Sequence, residues 1–255
     1  MKARSQSSLT PTKRSEVANP IAAPSRVWTV ERAIRELRRR GERRNIEGMA
    51  RFGIRSELVL GVAKPMLDAL ARKIGRNHEL SLRLWATGIH DVRLLAMLIS
   101  EAEKVTAAQM ESWVRDFDNW DVCDGTCCHL FVDAKPAWPK AFAWTSRKKE
   151  FEKRAGFALA AYLAIHDRSP RNQGFLRFLK VIEREASDGR NFVRKAVNWA
   201  LRNIGKRNRR LNRAAIKSAE RIRQAGAPAG RWIAADALRE LSSRAVQKRL
   251  LEKAG

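Results

Sequence analysis

Acid is scarce in this 255-residue chain: 27 Asp and Glu stand against 52 Lys and Arg, a formal net charge of +25. That deficit excludes a surface built for polycations. It implies a polyanionic partner, nucleic acid first and an acidic membrane surface second. Cysteine is nearly absent, with Cys123, Cys127 and Cys128 in one short run, which gives no disulfide framework. Long apolar runs are missing too. The longest, Phe157 to Ile165, falls far short of the roughly 20 residues a membrane span needs. No apolar stretch lies near the N-terminus, so no secretory signal is expected. No segment alternates apolar and polar residues as a half-buried strand would.

What is present is helical. Phe175, Phe178, Leu179 and Ile182 fit the i, i+3, i+4, i+7 spacing, as do Val193, Val197, Ala200, Leu201 and Ile204. Breaks recur at Gly75-Arg76-Asn77, Thr87-Gly88, Pro136 with Pro139, Ser169-Pro170, Asp188-Gly189, Gly205 and Pro228-Ala229-Gly230. A dozen helices with short links form an array rather than one bundle. Arg93, Arg154, Arg194 and Arg231 each open an apolar helical stretch. Their last two spacings approach the roughly 40-residue period of helix-pair solenoids, while the first, at 61, does not. The expected fold is all-α, a curved solenoid of antiparallel helix pairs (HEAT-like or armadillo-like) with a concave basic face. Residues 27–255 form its one domain. Residues 1–26, rich in Ser, Pro, Ala and basic residues with Glu16 the sole acid, read as a disordered basic tail; an organelle transit peptide shares that composition.

Charge is uneven. Residues 190–255 hold 18 Lys and Arg against four Asp and Glu. Arg202, Lys206, Arg207, Arg209, Arg210 and Arg213 lie in a stretch without acid. With Arg194, the first five of these are candidates to neutralise phosphates; a solvated basic face is the plainer reading. Against this background Asp118-Asn119-Trp120-Asp121-Val122-Cys123-Asp124 is an acidic, aromatic spot. Trp120 and Asp124, four apart, share a helix side and suit a cation better than a phosphate. Asp118 is the candidate N-cap and Asp121 its acidic partner, which leaves Asp124 without a capping role. On a helical wheel Asp124 and Arg154 fall at the edges of their apolar stripes, and Trp199 points away from its own. Burial against a neighbouring helix and presentation to a base both account for Trp199. Cys123 and Cys127 fall with Leu130 and Phe131 on the apolar face, where free cysteine packs as a small hydrophobe. One short run with adjacent His129 does not make a structural zinc site.

Three motifs in order, Asn119–Asp124, Phe151-Glu152-Lys153-Arg154-Ala155 and Phe192–Arg202, resemble those of the bacterial AlkD-type DNA alkylation-repair glycosylases. The resemblance covers roughly residues 45–250. It implies HEAT-like repeats, Asp124 as the catalytic carboxylate, Trp120 and Trp199 as contacts to the lesion nucleotide, and Arg154 as support. Phe52 falls where that family can carry a tyrosine near DNA, and the cysteine-rich run also departs from its better-known members. The chemistry agrees. An N3- or N7-alkylated purine is already cationic and leaves without a general acid. One carboxylate near C1′ and aromatic faces suffice, with no metal or cofactor. No lysine stands out as a Schiff-base nucleophile, so no strand-nicking step is expected. The expected activity is release of cationic alkylated purines from duplex DNA by a cytoplasmic, nucleoid-associated monomer. The alternatives are a non-catalytic module recognising DNA or RNA structure, which leaves the Trp120/Asp124 pairing unexplained, and a helical scaffold for an acidic protein.

Overall fold

The computed structural model describes residues 27–54, 58–167, 169 and 172–252; the expected tail, 1–26, lies outside the described residues. Fourteen α-helices run in chain order among them. These are α1 (Val30–Arg38), α2 (Arg43–Arg51), α3 (Lys64–Ile74), α4 (His78–Trp85), α5 (His90–Ile99), α6 (Ala107–Arg115) and α7 (Trp120–His129). There follow α8 (Ala137–Trp144), α9 (Glu150–His166), α10 (Gln173–Glu185), α11 (Asn191–Gly205), α12 (Arg209–Gln224), α13 (Pro228–Leu241) and α14 (Arg244–Glu252). The described residues contain no strand, only an antiparallel bridge between Gly41 and Val62. The fold is the all-α helical repeat array expected from the sequence.

Helices α5, α7, α9, α11 and α13 pack side by side in sequence as one layer. A second layer backs them: α4 on α5, α8 on α9, and α12 on α13, with α10 against α11 and α12. The arginine repeat marks the first layer. Arg93, Arg154, Arg194 and Arg231 are each the fourth or fifth residue of α5, α9, α11 and α13. The irregular first interval is two repeats, because α7 lies between α5 and α9 and carries Asp124 at the corresponding place. One repeat has thus exchanged its arginine for an acid, next to the neighbouring repeat's Arg154.

Local chemistry sets the helix ends. The side chains of Thr29, Asn77, Thr106, Asn119 and Asn208 each accept a backbone N–H from their helix's first turn, as N-caps do. Two expected breaks lie inside helices. Pro139 falls in the first turn of α8 and Pro228 opens α13; neither position owes an N–H to the helix, so proline is tolerated. The N-cap of α7 is Asn119 rather than Asp118: its Oδ1 accepts from the N–H groups of Asp121 and Val122, both at 3.0 Å. Asp118 instead accepts from the Asn119 amide at 2.6 Å.

Helix α9 is the pivot. Burial extends around it and takes in Glu152, Lys153 and Arg154, because α7, α8 and α11 all pack on it. Gly156 permits this: a Cβ there would sit 2.6 Å from the Thr145 nitrogen and 2.9 Å from the Ala141 oxygen of α8. Lys153 is satisfied by Glu185 at 2.6 Å and Asp188 at 2.9 Å. Arg190 also pairs with Asp188. Together Arg190, first, and Lys153 hold the Asp188 carboxyl well below the usual carboxylate range. Its stabilisation is therefore complete above the unfolded-state value of about 4 and is lost as pH falls through the folded-state one. Asp188→Asn is expected to lower the unfolding free energy by about 1.5–3 kcal/mol at neutral pH. In urea titrations the gap from wild type should narrow steadily below pH about 4.

Candidate active site

Four-residue spacing places Trp120, Asp124 and Cys128 along one side of α7. Eight-residue spacing does the same for Arg154 and Tyr162 on α9. The two rows meet. The Arg154 Nε donates to Asp124 Oδ1 at 2.8 Å and its Nη2 to Oδ2 at 2.6 Å, a bidentate pair. The remaining Arg154 Nη1 donates to the Phe192 carbonyl on α11 at 2.6 Å. One guanidinium therefore fixes α7, α9 and α11. Beside the carboxylate, Gly125 leaves room for the flexible Met97 side chain of α5, whose Cε would lie 2.7 Å from a Cβ there.

Arg154 is only 7% exposed, deeper than the stripe edge the wheel gives it, because α9 is covered on several sides. Burial pushes the Asp124 carboxyl up from its ordinary value, and Arg154 pulls it back. The Arg154 guanidinium is held above its ordinary value by Asp124 against the cost of burial.

Asp124 opens into a cleft of about 740 Å³. Trp120, Phe52, Met49 and Tyr162 line it, with Asp121 and Cys128. The Trp120 indole N–H donates to the Phe52 carbonyl at 2.9 Å, which ties α2 to α7. The Phe52 ring itself is 72% exposed. Asp121 is not part of a capping box; it lies 3.2 Å from His90 Nε2. The Asn119 amide donates to His90 Nδ1 at 3.2 Å, which leaves Nε2 as the protonated nitrogen facing Asp121.

Of the expected site residues, Asp124, Arg154, Trp120 and Phe52 come together. Trp199 does not line this cleft. It is partly buried against the core, and Tyr162 meets it edge-on at 4.8 Å. Tyr162, the only tyrosine in the chain, is the functional candidate the sequence reading passed over as one more member of the apolar stripe of α9. Its place two helical turns from Arg154 was the available signal. Cys123 and Cys127 are fully buried, with thiols turned to the Phe151 and Ala155 carbonyls. Burial pushes the Cys123 thiol up, so it is no ready nucleophile. The cluster does not converge on a metal-binding geometry, and no group of three or more His, Cys, Asp or Glu among the described residues does.

The expected phosphate ligands divide. Arg202 pairs with Glu240 at 2.6 Å and Asp236 at 3.3 Å, and Lys206 with Glu240 at 2.7 Å. Arg207 is bound to the Ala164 and Ser169 carbonyls and lies over the Phe175 ring. These three side chains hold the array together. Arg209 and Arg210, in the first turn of α12, are exposed, where the helix's own positive end adds to their field. Arg194 lies over the Trp232 ring, 4.6 Å from its centroid.

Removing Arg154 leaves the half-buried Asp124 carboxylate without its partner. Arg154→Ala is expected to destabilise the protein by about 3–5 kcal/mol, and Arg154→Lys to recover only part of this because an ammonium cannot make the bidentate pair. Denaturant unfolding of the two variants beside wild type measures both effects.

Among the described residues no helix is long and apolar enough to cross a membrane. A solved structure with a similar fold, TM-score 0.69 and 20% sequence identity over 76% of this chain and 83% of its own, is described as one of "a new family of proteins related to the HEAT-like repeat DNA glycosylases with affinity for branched DNA structures". No curated protein matches this chain. The model of the DNA alkylation repair enzyme family matches residues 33–243, most of the chain, and the protein belongs to that family.

Proposed function

We propose that the protein is a DNA glycosylase that releases cationic N3- or N7-alkylated purines from duplex DNA. The observation that carries this reading is the Asp124 carboxylate, locked by Arg154 at the wall of a cleft that Trp120, Tyr162 and Phe52 also line. The lesion purine enters carrying its positive charge, which aromatic faces attract. As the N-glycosidic bond breaks, its electron pair passes to the purine and neutralises it. Positive charge then gathers on the deoxyribose C1′, where an oriented carboxylate stabilises it. Water adds to C1′ and loses its proton, leaving an abasic site and a neutral base. The pair with Arg154 uses one lone-pair direction on each Asp124 oxygen; a carboxylate has about four, so acceptor capacity remains for sugar or water.

The test is base release from duplex DNA containing N7-methylguanine. Wild type is expected to release it, and Asp124→Asn to lose activity by at least a hundredfold, the scale of removing one such electrostatic group. The ionised carboxylate is the working form. The rate should therefore fall as pH drops through the Asp124 value, which burial places above 3.8. Equal rates in wild type and Asp124→Asn would discard the mechanism.

A second reading is a non-catalytic module for branched DNA. The similar structure described as having that affinity favours it, as does the engagement of both Asp124 oxygens by Arg154. It predicts tight binding to four-way junctions without base release by either protein. Both readings assign phosphates to Arg209 and Arg210. Replacing both with alanine should reduce the slope of log affinity against log salt by about 1.8, read by anisotropy on plain duplex.

A further inference from the structure

We infer that Arg194 and Trp232 form a second anchor for duplex DNA, three helices along the first layer from Asp124. The inference rests on the reading of the chain as a DNA-binding protein and adds a surface to it. Trp232 lies in the second turn of α13 and is 40% exposed. It and Phe52 are the exposed aromatics among the described residues. Phe52 belongs to the Asp124 cleft; Trp232 has no such place.

Its neighbour is Arg194. Arg194 and Arg231 are the two repeat arginines of this layer without a carboxylate partner among the described residues, and Arg231 bonds the Gly226 carbonyl instead. Arg93 faces Asp116, Arg154 faces Asp124, and Arg202 faces Asp236 and Glu240. The Nη2 of Arg194 reaches only Asn191 Oδ1, at 3.5 Å, and its buried Nε has no hydrogen-bond partner. The guanidinium is held instead by the Trp232 indole. Stacking orients a planar cation without neutralising it, so its charge is left for an anion.

The two helices are in register over this stretch. Arg194 meets Trp232, Asn198 meets Asp236 and Arg202 meets Glu240, each pair 38 residues apart. The lower rungs are closed by carboxylates. The rung nearest the N-terminus of α11 presents a cation and an indole, whose N–H is a donor only and has no partner among the described residues. Lys195 and Arg231, both exposed, flank it. Guanidinium and indole N–H donors suit phosphate oxygens, and an indole edge packs on deoxyribose. Local charge complements duplex DNA, since residues 190–255 carry 18 cationic against four acidic side chains.

Three packing steps of roughly 8–10 Å separate α7 from α13. At about 3.4 Å per base pair the anchor engages one flank of the duplex about eight base pairs from the lesion. That makes it a length-dependent and polarity-dependent contact.

Binding of the full chain to two asymmetric duplexes tests this. Each carries N7-methylguanine with about four base pairs on one side and about sixteen on the other, in opposite polarities, so that only one reaches the anchor. Wild type should prefer one of them. On that duplex Trp232→Ala and Arg194→Ala should each raise Kd about five- to tenfold and abolish the preference, while binding of the other duplex stays as in wild type. Arg194→Lys, which keeps the charge and loses the planar stack, should fall between. Unfolding midpoints of the variants, read alongside, separate lost binding by folded protein from lost fold, since the indole is only 40% exposed. Equal binding of both duplexes by wild type, or equal weakening of both by the variants, overturns the anchor and leaves the DNA-binding reading intact. Failure of wild type to bind either duplex overturns both.

Discussion

The Asp124–Arg154 pair is the constraint around which the candidate site is built. Arg154 is buried and Asp124 half-buried at the cleft wall, and a guanidinium placed alone in this interface would cost several kcal/mol. Arg154 therefore requires Asp124, and their bidentate geometry requires α7 and α9 to hold one axial register. The third Arg154 contact, to the Phe192 carbonyl, extends that register to α11. A small residue makes the fit possible where Gly156 meets the backbone of α8. A buried ion pair is weak evidence for stability, since apolar residues of similar shape often serve better. Its place at the cleft wall is what the proposed function draws on.

Charge along the layer obeys the same logic. An array whose first-layer helices repeat arginine near their N-terminal ends must compensate those charges or leave them for a ligand. In α7 the repeat position is an acid, and it compensates the next repeat. Between α11 and α13 the compensation comes from Asp236 and Glu240. At Arg194 an aromatic ring stands where the neighbouring rungs have a carboxylate, and Arg231 bonds only the Gly226 carbonyl. A high net charge thus overstates the number of cations free for phosphate. Arg202 and Lys206 are spent within the fold, while Arg209 and Arg210 are not.

Much of this was legible in the sequence. Periodicity and regular breaks gave the helical array. The arginine repeat marked one layer, and the 61-residue interval hid a repeat because its marker had become Asp124. The Trp120/Asp124 spacing placed both on one side of a helix, and the structure puts both at one cleft. What was not legible depends on contacts between repeats. A wheel treats a helix as having one buried side, which fails for α9, enclosed by three neighbours; hence Arg154 is deeper than expected. Tyr162 looked like core for the same reason. The cap of α7 moved one residue because Asn119, buried, answers both Asp118 and the helix N–H groups, a choice that neighbouring Asx residues leave open in one dimension.

The phenylalanine at position 52 sharpens the distinction between catalysis and binding. The resemblance places a tyrosine there in some members, and loss of its hydroxyl suggests a weakened site. Yet the contact between α2 and Trp120 runs through the Phe52 backbone carbonyl, which any residue supplies. The orientation of Trp120 therefore survives the substitution. What changes is the exposed ring, which has lost a polar handle and kept its aromatic face. A side chain that meets DNA through hydrophobic or stacking contact does not need the hydroxyl; one that donates a hydrogen bond to a phosphate does. On the proposed reading Phe52 would bear on the grip on DNA at the mouth of the cleft; the carboxylate, its guanidinium partner and the Trp120 indole keep their arrangement whatever side chain stands at position 52.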